Sequence, residues 1–350
     1  MKRDQLGWRR RLAAWLLPLF CLLVVVVIGS VSVGSADLSV GSVWKIIMSR
    51  FMFTGSMEPN WTQAAETIVW EIRLPRVVLA VLVGAGLGAA GTAYQGILRN
   101  PLADPYILGV SSGASVGAAA FILFGSGWSI VGSWTLPFVA FLCGLATLLV
   151  VYRLASINGT IQVETLLLSG VVVQSFLGAG LSLLISLSRE KIQDIVYWMM
   201  GSLALADWQS VVVIAPYVLG GIAVMWLCTR ELNILALGEQ KAHHLGMNVQ
   251  RIRLVLLVTA SLAAGATVAV SGVIGFVGLI IPHMMRSIVG SDYRVLLPVS
   301  AVAGSILLVM ADTIARTILD PQELPIGVIT AFLGAPFFAY LLRRRRKNFW

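Results

Sequence analysis

Apolar windows of about twenty residues, the length an α-helix needs to cross a bilayer, recur along the chain. They fall at roughly 12–33, 75–97, 106–125, 134–154, 164–187, 208–228, 252–270, 275–290, 296–316 and 326–342. The pattern predicts an all-α membrane protein with about ten transmembrane helices. The eighth window is short and carries His283 and Arg286, which suits a partial or tilted span. Three stretches break the pattern. Residues 43–53, VWKIIMSRFMF, mix bulky apolar side chains with Lys45 and Arg50, as a helix lying in the membrane interface does. Residues 189–202, REKIQDIVYWMMGS, are too short and too charged to cross, and predict a short external or re-entrant helix over a cavity. Residues 229–253, TRELNILALGEQKAHHLGMNVQRIR, are the one long polar passage in the middle of the chain. A partly helical polar segment between two sets of spans is where a membrane protein can meet a soluble partner.

Composition agrees with the pattern. Of 350 residues, 58% are hydrophobic and 12% charged, with a mean hydropathy of +0.89, far from the quarter charged of soluble domains. The 34 glycines suit close helix contact. The formal charge of +9 sits mostly at the two termini, where basic clusters beside apolar spans read as anchors on anionic lipid, not as nucleic-acid contacts. With the N-terminus inside, 18 Lys and Arg fall in inside segments and 7 in outside ones. That bias predicts a multi-pass protein of the cell membrane with both termini and residues 230–253 in the cytoplasm. Residues 12–28 resemble the apolar core of a signal peptide, but the run is long enough to span and no cleavage motif precedes residue 34, so it reads as a retained first span. The chain reads as one transmembrane domain, 1–350, and a cut after the fifth span leaves five spans on each side, a possible inverted five-helix repeat.

Few residues offer chemistry. Gly86, Gly88 and Gly91 form a GxGxxG, but inside a span and without a βαβ context, so helix packing explains them. Asn60 and Asn158 open chance sequons. His243 and His244 are adjacent and point about 100° apart on a helix. Cys21, Cys143 and Cys228 lie in apolar stretches with no paired spacing. Neither a catalytic constellation nor a metal or cofactor site is expected. Asp312 is the one carboxylate inside a span, and Arg316 four residues on predicts an ion pair, with a proton relay as the alternative. Arg73, Arg76 and Arg316 are basic residues on the predicted outer side, either snorkelling anchors or a positive rim for an acidic soluble partner. No GxxxxGK[ST] occurs, so the chain has no nucleotide cradle of that kind, and an ATP-driven process would need a separate ATPase subunit.

Several blocks together are similar to a known family: RLPRVVLAVLVGAGLGAAGTAYQGILRNPLADPYILGVSSGASVG, YWMMGSLALADW, LALGEQKAHHLG, SGVIGFVGLIIPHMMR, DYRVLLP and ADTIAR with ELPIGVITAFLGAPFF. They resemble the permease subunits of type II ATP-binding-cassette importers for ferric siderophores, vitamin B12 and haem, over about residues 71–342. The resemblance implies a transport subunit, not an enzyme, that dimerises with a second permease subunit, the same or different, around a central pathway. Two ATPase subunits would bind beneath it, and a substrate-binding protein or lipoprotein would dock above. Leu237, Gly238, Glu239 and Gly246 match the family's cytoplasmic coupling segment, which fits a groove on the ATPase. Arg73, Arg76 and Arg316 match basic positions that pair with glutamates of the binding protein, and residues 189–202 match the short external helix that helps gate the pathway. An iron–siderophore complex or related chelate is the first substrate this implies, with cobalamin (vitamin B12) the alternative. Outside the class, an ion-coupled secondary transporter would need paired buried acids, and only Asp312 is available.

Overall fold

The computed structural model describes residues 2–34, 38–51, 61–125, 131–157, 160–188 and 190–346. The elements in order are α1 (Lys2–Ser32), α2 (Val40–Phe51), α3 (Gln63–Thr67), a π-helical turn (Ile68–Arg73), α4 (Leu74–Ile97), a 3-10 turn (Pro105–Leu108), α5 (Val110–Phe124), a second 3-10 turn (Gly132–Trp134) and α6 (Thr135–Ala155). A two-residue antiparallel ladder of β1 (Ser156–Ile157) and β2 (Thr160–Ile161) leads to α7 (Val163–Leu187), α8 (Ile192–Met199), α9 (Trp208–Leu227), α10 (Thr229–Leu235) and α11 (Glu239–His244). The chain ends with α12 (Val249–Ser271), α13 (Val277–Val289), α14 (Tyr293–Thr317) and α15 (Ile326–Arg346).

Each of the ten apolar windows is helical. Seven helices among the described residues are long and apolar enough to cross a membrane, and the other three windows hold the shorter helices Val110–Phe124, Val277–Val289 and Ile326–Ala339. The amphipathic stretch predicted at 43–53 falls largely on α2, which buries Val43, Ile46 and Ile47; residues 52 and 53 lie outside the described residues. The second window differs most from its expectation. Helix runs unbroken from Gln63 to Ile97, twelve residues further back than the apolar window. Thr62 caps its start by accepting from the Ala65 amide. The i→i+5 turn at Ile68–Arg73 then re-phases the side chains so that Arg73 is buried.

The run from Gln63 to Ile97 is the hub, with most of its apolar window buried inside the bundle. In a membrane, helices are held by close packing and interhelical hydrogen bonds, because lipid offers no hydrophobic drive between them. Both occur on α4. A Cβ on Gly84 would collide with the Gly304 carbonyl, and one on Gly88 with the Ser300 carbonyl, so the α4 and α14 backbones touch. Tyr94 Oη and Ser261 Oγ of α12 are hydrogen-bonded at 2.5 Å, Gln95 Nε2 donates to the Leu279 carbonyl of α13 at 3.1 Å, and Ser305 Oγ donates to the Val81 carbonyl at 2.8 Å.

Gly88→Ala is expected to lower stability by about 1–3 kcal/mol through overpacking, read by thermal unfolding in detergent. Gly180→Ala in α7, where a new Cβ meets nothing within 4 Å, is expected to be neutral or stabilising by up to ~1 kcal/mol. Equal Tm values for the two variants would contradict the contact at Gly88.

Candidate functional site

Consecutive spanning helices run in alternating directions, so the bundle has two ends. The near end holds the start of α1 and residues 229–248; the far end holds the close of α1 and the start of α9.

At the near end the polar passage folds as a small unit of its own. Leu235, Ala242 and Val249 are buried together, with Ile234 and Met247 packed on them, so the apolar positions of the passage seat it. Two sharp turns, at Gly238 (φ +108°) and Gly246 (φ +76°), bracket α11 in backbone conformations that a side chain disfavours. The unit is tied to the bundle at several points. The Glu239 carboxylate pairs with Arg253, whose side chain is fully buried, and lies 3.7 Å from Arg99 at the foot of α4. Arg253 Nη1 also donates to the Ile161 carbonyl at 2.6 Å. Asn233 of α10 donates to Asp292 at 2.8 Å and accepts from the Tyr293 amide at 3.0 Å, at the first turn of α14. Burial pushes the Asp292 carboxyl upward, but hydrogen bonds from Arg294 and Asn233 outweigh it and hold it below the usual carboxylate value.

Leu237 stands out from this anchored base, 58% exposed, and Leu245 is 64% exposed. Leu237 separates two clefts. One, of about 980 Å³, lies between α10 and the α13–α14 turn and is lined by Arg99, Arg230, Arg286 and Arg294. The other, of about 380 Å³, is lined by Glu164, Gln240 and Lys241. The four residues singled out in the sequence thus have distinct places: Leu237 is the ridge, Gly238 and Gly246 make its turns, and Glu239 is its tether. His243 and His244 are exposed on the same unit, and among the described residues no group of three or more His, Cys, Asp or Glu is arranged to hold a metal ion.

At the far end Arg73, Arg76 and Arg316 come together, and all three are buried. The carbonyls closing a helix have no intrahelical donor, and here the arginines supply them. Arg73 Nη1 donates to the Val31 carbonyl at 3.2 Å and Arg316 Nη1 to the Val33 carbonyl at 2.6 Å, while Arg316 Nη2 reaches the Ser30 carbonyl and, at 2.9 Å, Ser30 Oγ. Arg76 forks between two acids: its Nε donates to Asp312 at 3.0 Å, and Nη1 and Nη2 donate to Glu323 at 2.9 and 3.0 Å. The Asp312–Arg316 pair foreseen from i,i+4 spacing is present at 3.6 Å, although Arg76 approaches Asp312 more closely, at 2.9 Å. Glu323, the second acid on Arg76, has no signal in the sequence, since its partner is 247 residues away.

The short helix predicted within 189–202 is α8; Arg189 itself lies outside the described residues. Ile195 is buried, while Ile192, Val196 and Tyr197 are open. Its C-terminal end is pinned by backbone bonds from Ile326 to Gly201 at 3.0 Å, Gly327 to Met200 at 3.1 Å, and Ser202 to Ser271 at 2.8 Å. The segment is therefore hinged on α12 and α15.

The comparisons give the family. The chain belongs to the FecCD transport family, which it matches over residues 22–344. It is 44% identical over 341 residues to the uncharacterized ABC transporter permease protein YvrB of Bacillus subtilis, covering 97% of this chain and 95% of that one. It is 49% identical over 283 residues to the cobalamin import system permease protein BtuC of Halobacterium salinarum, covering 81% and 75%. Among solved structures, a metal-chelate type ABC transporter in an inward-facing conformation superposes with a TM-score of 0.78 at 34% identity, covering 94% of this chain and 98% of that one. The protein is a multi-pass permease of the ABC importer class.

Proposed function

We propose that the chain forms, with a second permease subunit, the membrane pathway for a metal chelate, and that ATP hydrolysis on separate subunits drives it through residues 229–253. The observation that carries this reading is the near-end unit: an exposed ridge at Leu237 on a base tied through Glu239 to Arg253 and Arg99. A partner gripping Leu237 and Leu245 would move α4, α12 and α14 through those ties, which is how a soluble engine biases a two-state bundle. The basic bias of 18 to 7 supports a cytoplasmic position for this end and both termini. The substrate class comes from the relatives: a cobalamin permease and a metal-chelate type transporter. Ferric siderophore, haem and cobalamin are all chelates of that kind. The whole chain, 1–350, acts as one permease domain. The inverted repeat gains support from helix lengths, because the third spanning helix of each half, α5 and α13, is a short one.

The test is reconstitution of the full chain in liposomes with its ATPase and binding protein. Binding protein loaded with cobalamin or a ferric siderophore is expected to stimulate ATP hydrolysis and uptake of that chelate. Stimulated hydrolysis without uptake of any metal chelate would overturn the substrate class.

At the far end we propose that the binding protein docks over the arginine cluster. Arg76 is buried but its partner Glu323 keeps a third of its side chain exposed, so an incoming carboxylate would compete with Glu323 for the fork. Glu323→Gln is then expected to tighten docking by roughly two- to fivefold at low salt, the size of one partly exposed ion pair, and the gain should fade as salt rises. Docking that is unchanged across a salt series in surface plasmon resonance would make the arginines internal struts only.

A further inference from the structure

One groove belongs to neither the near-end unit nor the arginine cluster. It opens at the far end as a cavity of about 640 Å³ between α8 and the far ends of α6, α9 and α12, lined at its mouth by Trp134, Asp194, Tyr197, Trp198 and Asp207. It continues along the side of the bundle as a cleft of about 320 Å³ lined by Phe138, Phe141, Leu142, Val213 and Tyr217. Trp134, Pro137, Ala269 and Val270 line both parts, so the two are one channel. The deeper part is apolar and open to the flank of the bundle: Phe138, Leu142, Val213 and Tyr217 are each at least 40% exposed, and Phe141 and Tyr217 meet edge-on at 5.6 Å. This is the shape of an amphiphile site, a polar mouth above an apolar slot on the lipid-facing surface.

Charge selects the occupant. Among the described residues no Lys or Arg lines either part. Lys191 stands at the edge of the cavity, where it donates to the carbonyl of the lining residue Ile122 at 2.9 Å. Asp194 is exposed and makes no salt bridge or hydrogen bond among the described residues. Asp207 uses Oδ1 to cap α9 through the Ser210 amide at 2.7 Å and also accepts there from Ser210 Oγ, so Oδ2 has no partner among the described residues. Two carboxylates beside two tryptophans and a tyrosine attract an ammonium group through ion pairing and through the negative faces of the rings. An anionic head group would meet the two carboxylates, while the Lys191 amine at the edge is already engaged with the Ile122 carbonyl.

We propose that this groove binds one phospholipid with a primary ammonium head group, a phosphatidylethanolamine, in the leaflet at the far end. Its ammonium lies at Asp194 and Asp207 beside Trp134 and Trp198, and one acyl chain lies in the slot beside Phe141 and Val213. The assignment of this leaflet as the outer one rests on the orientation proposed above; the site itself does not. Because α8 forms one wall, a bound lipid would brace that helix.

Native mass spectrometry of the delipidated full chain, titrated separately with phosphatidylethanolamine and phosphatidylglycerol, tests this. The expected result is one tight phosphatidylethanolamine adduct, favoured over phosphatidylglycerol on the order of fivefold, as one half-exposed charge contact with a cation–π contact would give. Asp194→Asn is expected to erase most of that preference. Val213→Trp, which fills the slot from an exposed position, should remove the tight adduct while leaving the Tm unchanged. Equal binding of the two lipids by the wild-type chain would overturn the proposal, as would an undiminished adduct in Val213→Trp. A groove covered by a docking protein instead of lipid would give the first of those outcomes.

Discussion

Arg76→Ala is expected to be among the most destabilising single substitutions in the chain, by roughly 3–5 kcal/mol. The guanidinium lies between Asp312, which is fully buried, and Glu323, and it is the closest cation to the Asp312 carboxylate. Truncation leaves a buried charge whose remaining neighbour, Arg316, is at 3.6 Å and already engaged with α1. The cost is dominated by that stranded carboxylate, not by the lost attraction. Asp312→Asn in the same chain should therefore restore much of the loss, and a double-mutant cycle on thermal unfolding should show strong non-additivity. Arg76→Lys is expected to recover only part, since an ammonium cannot span two carboxylates in one plane as the fork does. Simple additivity of Arg76→Ala and Asp312→Asn would mean that the pair contributes nothing.

The same cluster shows where sequence reading stops. Hydropathy located, among the described residues, seven helices long and apolar enough to cross and three shorter apolar ones, because a membrane leaves a one-dimensional record: about twenty apolar residues per crossing. Charge spacing along one helix also leaves a record, and Asp312–Arg316 was legible from it. What a window cannot show is direction. Arg73, Arg76 and Arg316 read as basic residues on the outer side, either anchors or a rim for a partner, and neither reading names the contacts the structure gives them, with the carbonyls of α1 and with Asp312 and Glu323. Their partners lie up to 286 residues away in the chain, so no local pattern reports them. The start of the second spanning helix was missed for a related reason. Residues 63–74 are helical through a cap and a π-turn, not through hydrophobicity. Likewise the third window opens four residues early, since Pro105 and Gly109 (φ +80°) make a 3-10 turn before α5 begins at Val110.

At the near end the sequence carried more, because the chemistry is local. Gly238 and Gly246 are turns in the structure for the reason glycine is chosen, a positive φ. The alternation of apolar and polar residues between 234 and 249 sorts into a buried seat and an exposed ridge. Only the tether needed coordinates: Glu239 finds Arg253 fourteen residues on and Arg99 from a different helix.

That tether yields the largest functional effect expected. Glu239→Arg places a third guanidinium beside Arg99 and the fully buried Arg253 and removes the carboxylate that balances them. Like charges at this separation repel, and a buried arginine without its acid is unfavourable by several kcal/mol, so α11 should leave its seat. In proteoliposomes the expected outcome is a permease that inserts, and an ATPase that still hydrolyses at its basal rate, but with ligand-driven uptake lowered at least tenfold. A disordered base would give the same loss, so a second variant is needed. Leu237→Asp changes only the exposed ridge and touches none of the ties. It should leave the Tm of the isolated permease unchanged while weakening co-purification of the ATPase, because burying a carboxylate in an apolar contact is costly. Glu239→Gln falls between the two, keeping one hydrogen bond to Arg253 and a partial uptake rate. Normal uptake in both Leu237→Asp and Glu239→Arg would show that the engine grips another part of the near end, with the arginine-lined cleft beside α10 as the next surface to vary.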